Sequence, residues 1–225
     1  TLLNVQPSSN CIDTMFHESS HAVYYKGIDR SLPFNLREAA HIFTTEAVAM
    51  FFGALAKDPR WLSEVAKADP KKVAKLADAL RAQRKREQLI FTRWTLVMLN
   101  FEKALYENPD QNLNKLWWDM VEKYQKLKRP AKRNKADWAS KPHFTIAPVY
   151  YHNYMMGELF AAQLRKTITE KMPAKDGKPA FTSPKVGAFF ASKVFKPGMR
   201  MTWPVFVKYA TGAPLSAAAF AAEVK

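Results

Sequence analysis

Five consecutive residues near the start of the chain, His17-Glu18-Ser19-Ser20-His21, set two imidazoles and a carboxylate at a spacing that can do chemistry. On a helix, positions i and i+4 lie on one face about one turn apart, so His17 and His21 can point at one metal ion. Glu18, beside the first ligand, can reach a metal-bound water as general base. Glu46, 25 residues beyond His21, is placed to be the third ligand, because a loop long enough to turn the chain back precedes its helix. Three protein ligands and one open position are what a hydrolytic zinc site requires. The pattern alone is short, and the alternative is one buried, hydrogen-bonded histidine and one exposed one. Two of only five histidines fall at this spacing, and Met15, Phe16, Ala22, Val23 and Tyr24 flank them as in a mostly buried helix. Glu38, eight residues before Glu46, either stabilises a helix N-terminus or accepts a hydrogen bond from a ligating imidazole and orients it.

The elements that must position these groups read as helices. Asp13 or Thr14 can cap a motif helix that runs to about Tyr25, with Gly27 ending it and a loop over Asp29 to Asn35. A second helix covers Leu36 to Lys57 and stops at Asp58-Pro59, and Trp61 to Ala68 forms a short third. Pro70 opens a long helical region from Lys71 to about Tyr106, broken at most once; a turn at Asn108-Pro109-Asp110 and a helix over Asn112 to Leu127 follow. Lys128 to Ser140 reads as a basic loop and Lys141 to Ala147 as extended. Pro148 opens a helix to about Lys171, residues 172–182 form a loop, and short helices cover Pro184 to Val194, Trp203 to Thr211 and Ser216 to Val224. There is no internal repeat and no domain linker.

Composition bounds the rest. The chain has 225 residues, 48% of them hydrophobic, with 7 Gly and 14 Pro, which suits a packed helical protein. A single cysteine, Cys11, excludes an intrachain disulfide and a Cys-rich zinc site, and reads as a small buried or half-buried residue. The net charge of +15 favours acidic partners and anions. Its basic clusters lie at Lys71 to Arg86, where Val73, Leu76, Ala77 and Leu80 turn inward, and at Lys123 to Lys141. No nucleic-acid motif accompanies the charge, so nucleic acid is not an expected partner. No apolar run is long enough for a membrane span, and no signal peptide opens the chain. The first residue is Thr and the motif begins 17 residues in, so the chain reads as a piece of something longer.

The segment His17 to Glu46 resembles the angiotensin-converting enzyme family of zinc peptidyl-dipeptidases. In that family H-E-x-x-H is followed by aromatic residues, a short loop, L-R-E and, eight residues after that Glu, the third zinc ligand. Here the sequence has Tyr24-Tyr25, Leu36-Arg37-Glu38 and Glu46-Ala47. Trp117-Trp118 with Lys123-Tyr124-Gln125, Lys141-Pro142-His143, Tyr151-His152-Asn153-Tyr154 and the Pro184 to Gly212 region look like further family motifs in family order. The resemblance implies an all-α fold, the zinc-bearing helical half of a two-lobed metallopeptidase with a cleft. It places residues 1–225 as the C-terminal catalytic part of a domain, in a bacterial homologue, with the N-terminal half absent.

Carried over residue by residue, His17, His21 and Glu46 hold Zn2+, and Glu18 activates the water and passes its proton to the leaving amine. His143 and Tyr154 donate to the oxyanion, and Lys141 and Tyr151 hold the C-terminal carboxylate of a peptide substrate, which explains dipeptide release. On residue type alone, Lys141 could be solvated, Tyr150, Tyr151 and Tyr154 core aromatics, and His143 a structural loop residue. Met50 stands where the family has an Asp, and Val121 and Asn153 stand where chloride-activated members have Arg, so chloride activation is expected to be weak or absent. The His143 to Tyr151 interval is one residue longer than in the family; the other register would put Tyr150 at the anchor and Asn153 in place of the oxyanion Tyr. The tyrosine-rich stretch is also similar to thimet-type oligopeptidases, so an oligoendopeptidase is a variant reading. An inactive peptide-binding fragment is the rival from another class. The isolated half is expected to be poorly active, because water enters an unclosed cleft. Family habit favours a periplasmic or secreted location over the cytoplasm.

Overall fold

Helix α1, Ser9–Gly27, is capped by Ser8, upstream of Asp13 and Thr14, the two caps that the sequence suggested, because the Ser8 hydroxyl accepts from Cys11 N. The computed structural model describes residues 3–174 and 181–225, and among these the ordered elements are helical, with no β-strand. Part of the loop expected over 172–182 lies outside the described residues. α1 is also less enclosed than its apolar neighbours suggested. Ser20 and Tyr24 are buried, but Met15 (40% exposed) and Val23 (51%) face outward.

Helix α2, Ile42–Gly53, starts six residues later than the Leu36 start read from sequence. Phe34–Leu36 forms a separate 3-10 turn, and His41 caps α2, with Thr44 completing a reciprocal capping box. α2 is buried almost all round: Phe43, Thr44, Thr45, Glu46, Ala47, Val48, Ala49, Phe51 and Gly53 are inside. Such a helix belongs to the centre of a core rather than to its surface. The α2 helix ends in a 3-10 turn, Ala54–Lys57, and α3, Pro59–Glu64, is capped by Asp58, which accepts from Trp61 N.

Helix α4 runs unbroken from Pro70–Glu107, 38 residues and roughly 57 Å at 1.5 Å per residue. Of the positions expected to turn inward near its start, Val73 is buried and Ala77 and Leu80 are half-buried, whereas Leu76 is 56% exposed. α5, Leu113–Met120, passes into a π-helical turn, Val121–Gln125. The end of the expected basic loop forms a 3-10 turn, Asp137–Ser140, and the stretch expected to be extended, Lys141 to Ala147, opens with another, Pro142–Phe144, with Phe144 in the interior. α6 is His152–Lys171, α7 Pro184–Phe189 with a π-helical turn Phe190–Phe195, α8 Trp203–Thr211 and α9 Ala218–Val224.

The chain divides into two units. The first comprises the chain up to Arg84 together with Met156–Lys225; the second is Lys85–Met155. No linker marks the division because both boundaries fall inside helices, α4 and α6. The core of the first unit joins Tyr24, Phe43, Val48 and Phe51 to Phe160, Leu164 and Ile168 of α6, with Phe190, Val194, Phe206 and Val207. The core of the second unit gathers Val97, Met98 and Phe101 of α4 around Trp117, Val121, Phe144 and Tyr151.

Candidate active site

In the first unit, α1 and α2 pack against each other and bring His17, His21 and Glu46 together. One donor atom from each lies within 4.8 Å of the others. His17 Nε2 is 3.4 Å and His21 Nε2 4.0 Å from Glu46 Oε2, and the imidazoles meet edge to face at 5.0 Å. Two neutral imidazoles and a carboxylate on one point are a zinc donor set, so the residues fit that ion. Glu46 is 3% exposed because α2 is enclosed. Gly157 of α6 lets that helix approach closely: a Cβ there would stand 3.1 Å from Glu46 Cβ, 3.2 Å from Met50 Sδ and 3.3 Å from Ala47 N.

The electrostatics of the cluster separate the two histidines. Burial lowers His17, but the hydrogen bond and charge of Glu46, with Glu18 and Asp13 adding to them, leave its pKa above the ordinary imidazole value. Burial outweighs Glu46 at His21, and the neighbouring His17 lowers it further, so its pKa falls below that value. Glu18 follows His17 directly on α1, and its charge favours the protonated form of both imidazoles. Thr45 Oγ1 stands 2.7 Å from His21 Nδ1, on the side of the ring away from Glu46. Glu38 is exposed, and its carboxylate pairs with the Tyr25 hydroxyl, whose pKa is raised by burial and then by Glu38. Nothing in the spacing of the sequence pointed to Thr45; its place next to Glu46 was the available signal.

The second unit brings Lys141, His143, Tyr151 and Tyr154 together. His143 Nε2 is 3.3 Å from Tyr154 Oη, and the His143 ring meets Tyr151 at 4.8 Å. The Lys141 ammonium sits over two indoles, 5.4 Å from the Trp94 ring and 5.9 Å from Trp117. Trp94 Nε1 donates to Tyr151 Oη at 2.6 Å. Burial raises the Tyr151 pKa, and the Trp94 bond offsets part of that rise, so the phenol is neutral at physiological pH. Tyr150 meets Tyr154 at 5.2 Å, whereas Asn153 is buried and its amide donates to the Tyr150 carbonyl. The turn into this cluster passes through Val149 at φ +54°, a strained conformation for a β-branched residue. The buried Glu102 carboxylate holds that turn by accepting from Val149 N at 2.6 Å.

The family model for angiotensin-converting enzyme, of peptidase family M2, matches residues 5–222. A solved structure titled "BsuCP Crystal Structure" is similar with a TM-score of 0.74 at 20% sequence identity, over 95% of this chain and 47% of that one. The chain therefore spans about half the length of that relative, and at this identity the likeness is one of fold. No curated protein matches the sequence.

Proposed function

The chain belongs to the angiotensin-converting enzyme family of peptidases, and from that premise we propose that it is a zinc-dependent peptidyl-dipeptidase releasing dipeptides from peptide C-termini. The observation that carries the reading is the convergence of donor atoms of His17, His21 and Glu46, within 4.8 Å of one another, with Glu18 next to His17 in sequence. Zinc held by these three residues would supply Lewis acidity at a water molecule and at the scissile carbonyl.

The residues of the chain do the rest. Glu18 takes a proton from the attacking water and returns it to the leaving amine. His143 and Tyr154 offer an imidazole and a hydroxyl as donors to the oxyanion. Lys141 and Tyr151 hold the free carboxylate of the substrate, and a fixed anion anchor is what turns a peptidase into one that counts residues from the C-terminus. Because the chain spans about half of its solved relative, we take it as the C-terminal catalytic part, residues 1–225, working with a further, N-terminal half of the same enzyme. Family habit supports a periplasmic or secreted setting. Among the described residues no helix is long and apolar enough to cross a membrane.

Glu18→Gln tests the assignment. The variant should keep one zinc per chain and lose hydrolysis by roughly 100-fold or more, the scale of a lost general base. Unchanged hydrolysis refutes the assigned base. Mass spectrometry of the products decides the peptide chemistry: dipeptides support the reading, and internal cuts or single amino acids overturn it in favour of an oligoendopeptidase or a carboxypeptidase.

A further inference from the structure

Trp94 lies in the middle of α4, 57 residues from Tyr151 in sequence, yet it touches both members of the proposed carboxylate anchor. An indole N–H can only donate, so in the 2.6 Å contact the Tyr151 oxygen is the acceptor. The hydroxyl proton of Tyr151 must then point elsewhere, and among the described residues no acceptor for it is seen. A hydroxyl that accepts one hydrogen bond also donates a stronger one.

The other half of the anchor is arranged by the same side chain. The Lys141 ammonium rests on the faces of Trp94 and Trp117, which meet edge to face at 5.7 Å. Among the described residues no carboxylate pairs with Lys141 directly. Asp137, whose charge it feels, is engaged by Arg133 and by the Trp118 N–H. Stacking on aromatic faces restrains a flexible lysine while leaving its N–H donors available.

We infer that Trp94 is the positioning residue of the anchor: its N–H fixes Tyr151 as a hydroxyl donor, its face fixes Lys141, and together they are preset for a free peptide carboxylate. This rests on the anchor role proposed for Lys141 and Tyr151. Acetyl-tetraalanine and its C-terminal amide, titrated into the full zinc-loaded chain carrying Glu18→Gln, read the carboxylate preference directly. The parent should bind the free acid about tenfold more tightly than the amide, as hydrogen bonds to a charged group require. Trp94→Phe keeps an aromatic face and removes the N–H. It should lose most of that preference with amide binding unchanged, and Tyr151→Phe added to it should cost nothing more. If Trp94→Phe fails to fold, benzothienylalanine at position 94, isosteric with tryptophan but without the N–H, takes its place. A variant that keeps the full preference overturns the role of Trp94 and leaves the anchor standing. A parent without any preference overturns the anchor and this inference with it.

Discussion

Thr45 Oγ1 and His21 Nδ1 stand 2.7 Å apart, and Thr45 is the residue immediately before Glu46. One stretch of α2 therefore presents a carboxylate to the donor cluster and a hydroxyl to the far nitrogen of one of its imidazoles. Met50 leaves the family's carboxylate position without an acid, and Thr45 supplies an oxygen to His21 by another route. Thr45→Val, isosteric but without the hydroxyl, should weaken zinc binding by about 10- to 100-fold, the usual cost of losing a ligand's outer hydrogen bond. Thr45→Ser should restore it. Chelator competition measures both, and a Thr45→Val protein with parental affinity removes Thr45 from the account.

Zinc affinity should depend on pH in a stated order. His17 titrates above the ordinary imidazole value of about 6.5 and His21 below it. On acidification His17 takes up its proton first, and that proton must leave before the nitrogen can ligate. Affinity should fall from pH 8 towards 6, with one proton released per zinc, and more steeply at lower pH as His21 joins. In the metal-free chain the sign reverses. The protonated His17–Glu46 pair stabilises fully below about pH 6.5, and that contribution is lost as pH rises through the raised value. Calorimetry in buffers of different ionisation heat counts the protons, and a flat affinity from pH 8 to 6 contradicts the order.

Gly157→Ala should destabilise the protein although it adds a good helix former. Propensity alone favours alanine by about 1 kcal/mol. The new methyl, however, would stand 3.1 Å from Glu46 Cβ and 3.3 Å from the Ala47 backbone, and neither can swing aside as Met50 Sδ can. Overpacking of this kind costs about 1–3 kcal/mol, so the net sign is negative. A lower melting temperature with weakened zinc binding is expected; a more stable variant would show that α6 can retreat.

Glu223→Ala should be costly for a residue so near the end of the chain. Its carboxylate takes both Arg165 Nε and Nη2, at 2.8 and 2.7 Å, and Arg84 approaches it at 3.6 Å. Arg165 is 5% exposed, and burial with the nearby Arg165 charge lowers Arg84 to about 10. Removing the acid leaves the buried Arg165 and the half-buried Arg84 with Glu158, 3.9 Å from Arg165, and Asp58 as the other acids acting on them, a loss of roughly 3 kcal/mol. Denaturant unfolding measures it. A loss below about 1 kcal/mol, the scale of a surface pair, would demote the cluster to one.

Chloride should not raise hydrolysis. Val121 is buried in the apolar core of its unit, and Asn153 spends its amide on the Tyr150 carbonyl, so neither position offers a cation. A several-fold rise in rate between chloride-free buffer and added chloride would contradict this.

The donor set was legible because a helix converts the spacing of His17 and His21 into a shared face without further help. The all-helical class was legible for the same reason, since low glycine and long runs of helix formers leave few alternatives. What escaped was set by contacts distant in sequence. The Leu36 start for α2 failed because His41 caps it, which propensity does not anticipate. The extended reading of Lys141 to Ala147 failed because Phe144 is drawn into a core built by Phe101 and Trp117. The π-helical turns after α5 and α7 have no local signature. Trp94 gave no sign at all, since an aromatic inside a long amphipathic helix is ordinarily core.

The first unit is interrupted in sequence by the second, and this orders the protein's birth on the ribosome. His17, His21 and Glu46 are made more than a hundred residues before Gly157, Phe160 and Leu164, against which α2 is packed. The second unit, contiguous in sequence, can fold while the first waits for its far end. The nascent chain thus carries these three side chains well before it carries the helix that encloses them, and the cluster settles only once α6 has been made.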